Sequence, residues 1–306
     1  QLSTLMLVFV AAILLLERAN RGGSRFYDSG RRSRVSPYQL NGASAWVAVC
    51  ACALPVVLGF VLPAWILARM AFSEGDAHFF SSRMLGLIAN SFTLAAVTAA
   101  AAIVLAVIMA YAVRIDRGML VSAAHRIAGL GYALPGAVIA VGILVPVSRL
   151  DNLIHAWMTD AFGKGPGLLL TGSIVALVYA YLVRFLAVAL QTVEAGLSKV
   201  TPSMDDAARG LGYSPAATLF RVHVPIIRGS VLTAGLLVFV DVMKELPATF
   251  VMRPFDFDTL AVQAYNFAAD ERLAEAATAS LVIVAVGLLP LFILCRAIAT
   301  GGRRAP

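Results

Sequence analysis

Long apolar segments alternate with short polar ones along the chain. An α-helix of about 20 apolar residues crosses a hydrocarbon layer about 30 Å thick. Six apolar segments are near that length: residues 44–69, 86–113, 127–147, 168–190, 229–250 and 276–295. A further apolar segment, residues 2–16, is short for a span. The pattern predicts an all-α, polytopic transmembrane helical bundle with six full spans and a partial helix at its N-terminal end.

The composition favours a membrane protein over a soluble one. Hydrophobic residues make up 60% of the 306 residues and charged residues 13%, whereas a soluble domain carries about 45–50% apolar and about 25% charged residues. These proportions argue against a soluble globular enzyme, a disordered chain and a disulfide-rich scaffold. The long apolar segments also disfavour a transmembrane β-barrel, because barrel strands alternate over about 10 residues.

Lysine and arginine are unevenly divided between the two sets of loops. Sixteen of the 24 lie in residues 17–43, 114–126, 191–228 and 296–306, and five lie in the three loops between them. Basic loops remain in the cytoplasm, so the first set, with the C-terminus, is predicted to be cytoplasmic. This distribution accounts for the net charge of +7. We expect no nucleic-acid partner, because no basic stripe with interleaved aromatic residues occurs.

The polar flanks are distinct from the membrane domain. Residues 17–43 carry six arginines and several glycines, which predicts a basic cytoplasmic linker. Residues 44–298 form the predicted transmembrane domain, and residues 299–306 form a predicted cytoplasmic tail.

Four ionisable residues lie inside predicted spans. Asp241, Lys244 and Glu245 fall within residues 229–250, and Arg184 falls within the preceding span. On a continuous helix the spacing i, i+3, i+4 places the three on one side, and Pro247 would kink the span beyond them. A charge in a span costs about 2.5–3.5 kcal/mol on insertion scales, so a partner is needed, and Arg184 is the candidate. The group either lines a translocation pathway or locks helix packing; the sequence leaves both open and identifies no metal site.

The loop 191–228 predicts a pair of short helices. Pro202 suits a first helical turn, and Asp205 and Asp206 suit the positive N-terminal end of a helix. Gly212 is expected to take a positive φ between the helices. Ser214 is a plausible N-cap of a second helix over residues 216–222, which Pro225 is expected to separate from the next span.

The same loop carries a recognisable spacing. Permease subunits of binding-protein-dependent ABC importers have a cytoplasmic signature of Glu-Ala-Ala, three residues, Gly, nine residues, Ile, one residue and Leu-Pro. The corresponding residues of this sequence keep every spacing: Asp206-Ala207-Ala208, Gly212, Val222, Val224 and Pro225. The chain therefore resembles such a permease.

That resemblance implies a fold and a contact. The fold is the MetI-like ABC permease fold, and the loop would dock into a groove on an ATPase subunit. The coupling residues implied are Asp206, Ala207, Ala208, Gly212, Tyr213, Ser214 and Pro225. Asp206 is one methylene shorter than the glutamate of the signature, so an ion pair to the ATPase would differ in geometry. His223 occupies a variable position of the signature, and we expect it at the surface.

A second resemblance concerns the cargo. The sequence resembles ferric-iron importer permeases around Lys244-Glu245-Leu246-Pro247-Ala248-Thr249, Arg253-Pro254-Phe255, Asp258-Thr259-Leu260 and Ala268-Ala269-Asp270-Glu271-Arg272. In that family two permease halves are commonly fused, and this chain resembles the C-terminal half. Residues 1–16 would then be the tail of the last helix of a preceding half. Permeases for thiosulfate or sulfate, polyamines and phosphonates share this architecture, so those cargoes stay open.

The resemblance also implies partners and a location. The expected partners are an ABC ATPase dimer, a periplasmic or lipoprotein substrate-binding protein, a second permease half and membrane lipid. The chain has no G-x-x-x-x-G-K-[ST] sequence, so we expect it to be no enzyme and to bind no cofactor, with ATP used by the partner subunit. The location implied is the bacterial inner membrane. An integral membrane enzyme or a secondary transporter would be the alternatives from other classes.

Overall fold

The structure is a computed structural model that describes residues 40–73, 81–116 and 118–301. These residues form helices and short connections and contain no strand, which confirms the all-α prediction. Residues 1–16, most of the predicted linker 17–43 and most of the predicted tail 299–306 lie outside the described residues.

Twelve α-helices are described in chain order. They are α1 Ala43–Val56, α2 Leu62–Ser73, α3 Ser82–Ile115, α4 Met119–Ala128, α5 Gly136–Phe162, α6 Ile174–Leu197, α7 Pro202–Gly210, α8 Pro215–Thr218, α9 Val224–Met243, α10 Pro247–Met252, α11 Leu260–Ala269 and α12 Leu273–Gly301. Five helical segments are long and apolar enough to cross a membrane: Ala43–Phe72, Ser82–Ile115, Gly136–Phe162, Ile174–Leu197 and Pro215–Met243. The predicted span 276–295 falls within α12, of which Leu273–Leu289 is a shorter apolar helix.

The third predicted span, residues 127–147, is misplaced. The chain there leaves α4 at Ala128, forms a 3₁₀ turn over Gly131–Ala133 and begins α5 only at Gly136. Gly131 brings this turn against the backbone of α6, where a Cβ would overlap the carbonyl oxygen of Val183. The hydropathy of residues 127–135 does not reveal this close contact between Gly131 and α6. The apolar turn was therefore predicted to be the first part of a span.

The predicted span 229–250 is divided. Helix α9 ends at Met243, and a separate short helix, α10, begins at Pro247. Proline lacks a backbone donor and clashes inside a helix, but it fits a first turn. The expectation that Asp241, Lys244 and Glu245 share one helix is therefore wrong, because Glu245 lies in the connection.

Two π-helical turns allow proline-containing helices to continue. They cover Val57–Val61, between α1 and α2, and Leu219–His223, between α8 and α9. Each ends two residues before a proline, Pro63 or Pro225. The wider i→i+5 turn rearranges the carbonyls with which a proline ring clashes in a regular helix. The expectation that Pro225 separates two helices is thus wrong, because Pro215–Met243 is one continuous helical segment.

The core lies where α3, α6 and α9 pack pairwise. Small side chains on α3, including Ala95, Ala99 and Ala102, are buried there, as is typical of closely packed membrane helices. Helix α12 packs against α11 and α2. Helix α1 buries no residue, so it lies at the periphery of the described bundle.

Candidate functional site

The loop between α6 and α9 forms the predicted helical hairpin, which comprises α7, α8 and the turn between them. Gly212 has φ +79°, which confirms the expected positive φ. Its N–H donates to the carbonyl of Arg209 at 2.9 Å, and the Tyr213 N–H donates to that of Ala208 at 3.0 Å. These two bonds are those of a Schellman motif. The Ser214 hydroxyl accepts from the N–H of Ala217 at 3.3 Å, so Ser214 is the N-cap of α8 as predicted.

The predicted coupling residues divide into an exposed and a buried set. Ala208 is buried, and the other six are exposed: Asp206, Ala207, Gly212, Tyr213, Ser214 and Pro225. Asp206 pairs with Arg209 on the surface of α7. Leu211 is also exposed, beside Tyr213. The hairpin therefore exposes an acid on α7 and two large side chains, Leu211 and Tyr213, in the turn.

A polar cluster that sequence reasoning missed attaches the hairpin to the spans. Arg114 of α3 donates from Nε to Asp205 Oδ2 at 2.8 Å, and His223 Nε2 lies 2.6 Å from Asp205 Oδ1. The Tyr111 hydroxyl donates to the carbonyl of Pro215 at 2.8 Å. His223 is fully buried, so the expectation that it lies at the surface is wrong. The spacing of Tyr111 and Arg114, one turn apart at the end of a span, was the available signal.

The charged residues of the membrane region form two separate ion pairs. Arg184 Nη1 lies 2.9 Å from Glu245 Oε1, so Arg184 approaches the cluster as expected. Lys244 Nζ lies 2.9 Å from Asp241 Oδ1. Glu245 is 6% exposed and Lys244 is 62% exposed. The Arg184–Glu245 pair is therefore mostly buried in the bundle, whereas the Asp241–Lys244 pair reaches the surface of the chain through Lys244.

The Arg184–Glu245 pair, called here the inner pair, joins three helices. Glu245 Oε1 also accepts from the N–H of Ala248 at 3.2 Å, in the first turn of α10. Gly136, the first residue of α5, lies so close that a Cβ would overlap Arg184 Nη1 and Glu245 Oε1. The guanidinium lies on α6, so this pair holds the beginnings of α5 and α10 against α6.

Thr249 supports the same junction. Its hydroxyl donates to the carbonyl of Glu245 at 2.5 Å, and the buried Tyr181 hydroxyl of α6 lies 2.5 Å from that hydroxyl. Pro247 occupies the first turn of α10. The connection at Glu245 therefore has a defined conformation rather than a simple kink.

The acids available to a metal ion are few. Over the described parts of the chain, no group of three or more His, Cys, Asp or Glu side chains could hold a metal ion. Asp241 and Glu245 each have a cationic partner. Both carboxylates are therefore already neutralised within the chain.

A buried carboxylate on α5, that of Asp151, binds the backbone of the connection between α5 and α6. The predicted spans 127–147 and 168–190 leave Asp151 in the loop between them, but α5 extends to Phe162. Asp151 is fully buried and accepts from the N–H groups of Leu169, Leu170 and Thr171 at 2.6–3.1 Å. This carboxylate fixes the connection between α5 and α6.

Relatives of the chain are transport permeases, although no family model matches it. It is 24% identical over 305 residues to the "Fe(3+)-transport system permease protein FbpB 2" of Haemophilus influenzae, covering 96% of this chain and 56% of that protein. It is 28% identical over 160 residues to the "Putative 2-aminoethylphosphonate transport system permease protein PhnV" of Salmonella typhimurium, covering 52% of this chain and 54% of that protein.

A polyamine permease is also similar. The "Spermidine/putrescine transport system permease protein PotC homolog" of Mycoplasma genitalium is 24% identical over 178 residues, covering 58% of this chain and 57% of that protein. The chain thus spans about half the length of the curated relatives it matches.

Solved structures give the fold. A chain from a bacterial alginate ABC transporter in complex with an alginate pentasaccharide-bound periplasmic protein aligns with TM-score 0.62 and 16% identity, covering 82% of this chain and 92% of that one. A chain from a bacterial ABC transporter involved in alginate import aligns with TM-score 0.64 and 13% identity, covering 86% and 96%. With the apolar helices, these similarities indicate a multi-pass inner-membrane protein. They confirm the resemblance to ABC importer permeases and the fold of that family.

Proposed function

We propose that this chain is a permease half of an ATP-driven importer in the bacterial inner membrane. The observation that carries the proposal is the hairpin of α7 and α8, which exposes Asp206 on α7 and Leu211 and Tyr213 in the turn. Exposed aromatic and aliphatic side chains such as Tyr213 and Leu211 suit a groove on a protein partner. The groove belongs to a separate ATPase subunit, which binds and hydrolyses the ATP.

The mechanism follows from the position of the hairpin. It lies between α6 and α9, two of the three core helices. When an ATPase dimer closes on ATP, its grooves displace the hairpin, and the core helices move with it between outward-open and inward-open arrangements. A substrate-binding protein delivers cargo on the side opposite the hairpin. The chain supplies the pathway and takes part in no covalent step.

The inner ion pair belongs to this cycle. Arg184 and Glu245 join α6 to the beginnings of α5 and α10 at a buried junction. Separating them would free these helices, so the pair acts as a gate beside the pathway. Lys244, the exposed member of the other pair, lies at the surface of the chain, where cargo or a second permease half would approach it. If the pairs serve packing alone, changing them would lower folded protein and uptake equally.

The proposed cargo is ferric iron. The ferric-transport permease aligns with 96% of the chain, whereas the phosphonate and polyamine permeases align with little more than half. Phosphonate, polyamine and thiosulfate or sulfate are the competing cargoes.

Uptake by the complete importer tests both parts. The full-length protein is reconstituted in proteoliposomes with its ATPase and substrate-binding protein, and uptake of radiolabelled ferric iron, 2-aminoethylphosphonate, spermidine and sulfate is measured with and without ATP. We expect ATP-dependent uptake of ferric iron alone. Uptake of another solute would overturn the cargo, and uptake without the ATPase would overturn the importer proposal.

A further inference from the structure

Two residues of α3 reach across to the hairpin, although α3 has no direct chain connection to it. We propose that Arg114, Asp205 and His223 form a joint that transmits hairpin movement to α3. They are positioning residues, and the inference rests on the proposed role of the hairpin in ATP-driven transport. The shared Asp205 carboxylate is the centre of the joint.

Arg114 binds three acceptors from two other elements. Its Nη1 donates to the carbonyl of Leu197 at 3.2 Å, and its Nη2 donates to that of Val200 at 2.8 Å. These carbonyls lie at and just beyond the end of α6, where helix carbonyls lack intrahelical donors. Its Nε and Nη2 also lie 2.8 Å from Asp205 Oδ2 on α7. One guanidinium therefore connects α3 to the end of α6 and to the hairpin.

The second carboxylate oxygen of Asp205, Oδ1, contacts His223 and not Arg114. His223 Nε2 lies 2.6 Å from Asp205 Oδ1, and the imidazole is fully buried in the π turn before α9. The carboxylate thus connects Arg114 of α3 with His223 of the α9 segment. Asp206, the next residue, pairs only within α7, so the two adjacent acids face different neighbours.

Tyr111 holds the other half of the hairpin. Its hydroxyl donates to the carbonyl of Pro215, the first residue of α8, and its ring packs edge-on against His223 at a centroid distance of 5.2 Å. Tyr111 and Arg114 are one turn apart on α3, so they share a face. Helix α3 therefore contacts both hairpin helices.

These contacts determine which helices follow the hairpin. The polypeptide connects the hairpin directly to α6 and α9, and movement passes to those helices through the chain. The movement reaches helix α3, the third core helix, through Arg114, Tyr111 and side-chain packing. Without the joint, the hairpin would move α6 and α9 while α3 lagged, and ATP would be hydrolysed with little transport.

The joint requires the fork of a guanidinium rather than a positive charge alone. A lysine ammonium retains the charge but cannot reach Asp205, Leu197 and Val200 with the same geometry. Arg114→Lys therefore separates positioning from charge neutralisation, and Asp205→Asn weakens the centre of the joint. Arg126→Lys is the matched control, because Arg126 is exposed on the neighbouring α4.

The test measures uptake per ATP hydrolysed in the complete reconstituted importer, with ferric iron as the probe or, failing that, the solute that the wild type takes up. For Arg114→Lys and Asp205→Asn we expect ATPase co-purification and hydrolysis within about twofold of wild type but uptake per ATP lower by about tenfold. The double variant should be no worse than either single variant, because both changes break one joint. Arg126→Lys should match the wild type.

Two results would overturn the joint. One is unchanged uptake per ATP in both single variants. The other is a parallel fall in assembled complex and uptake at a constant ratio, which indicates a folding role alone. If the wild-type chain fails to co-purify with an ATPase, the proposed function itself fails, and with it the joint.

Discussion

Gly212 closes the turn of the hairpin with a left-handed backbone. A Cβ at this position would meet no atom within 4 Å, so substitution is opposed by the backbone conformation and not by a clash. The left-handed conformation costs a non-glycine residue about 1–2 kcal/mol, and a β-branched side chain is the least suited to it. The predicted coupling function therefore depends on one torsion angle.

We predict that Gly212→Val abolishes ATP-driven uptake while the protein still inserts in the membrane. The strained turn would displace Leu211 and Tyr213 from the surface that we propose as the ATPase contact. Uptake and the amount of membrane-inserted protein are measured together. Gly212→Asn is the matched control, because asparagine tolerates the left-handed region, and it should retain most uptake. Normal ATPase assembly and stimulation by Gly212→Val would contradict the coupling assignment.

The charge of Glu245 attracts Arg184 at the junction of α5, α6 and α10. We predict that Glu245→Gln lowers uptake by about tenfold, equivalent to about 1.4 kcal/mol, and lowers folded protein much less. Glutamine keeps an oxygen that can accept from Arg184 and Ala248, so the junction folds but loses its charge attraction. Uptake is compared with the yield of monodisperse protein.

A glycine pair supplies an independent check of the same junction. Gly136→Ala places a Cβ against Arg184 and Glu245, whereas Gly142→Ala, on the same helix, meets nothing within 4 Å. Only the first change should reproduce the loss of uptake. Equal losses of uptake and folded protein in Glu245→Gln would favour a packing role.

At the scale of helices, the π turn Leu219–His223 sets the rotation of the hairpin about α9. The turn contains one more residue than an α-helical turn, and each residue rotates a helix by about 100°. We predict that Pro225→Ala relaxes the turn toward α geometry, moves His223 away from Asp205 and lowers uptake several-fold. Pro63→Ala, beyond the corresponding turn of the first span, is the control for loss of a proline. Wild-type uptake by Pro225→Ala would show that the turn does not depend on proline.

The sequence was sufficient for the all-α fold, for most of the apolar spans and for the hairpin turn, but insufficient for the contacts between helices. Apolar runs and the Gly212 and Ser214 signals are local, and the structure confirms them. The boundary at Gly136 and the break before Pro247 were missed because Gly131 and Glu245 respond to α6, far along the chain. Arg114 and Asp205 are 91 residues apart, and no local pattern pairs them.

At the scale of the whole molecule, the described residues carry one hairpin. The proposed ATPase partner would be a symmetric dimer with two equivalent grooves, so a second permease half would be needed to fill both. We predict that purified residues 1–306 show no ATP-driven uptake with the ATPase and binding protein, and that adding the second half restores it. Robust uptake by a monomeric chain of these residues would refute the prediction.

The Arg184–Glu245 pair also bears on how the protein is made. A translocon would release α6 with an arginine facing lipid, at a cost of about 2.5–3.5 kcal/mol. Its partner lies 61 residues later, and a ribosome adding about 5–20 residues per second needs about 3 to 12 s to synthesise that stretch. Helix α6 must therefore be retained beside the translocon, or shielded by earlier helices, until the end of α9 emerges. Biogenesis of this protein would then depend on the rate of translation between the two residues.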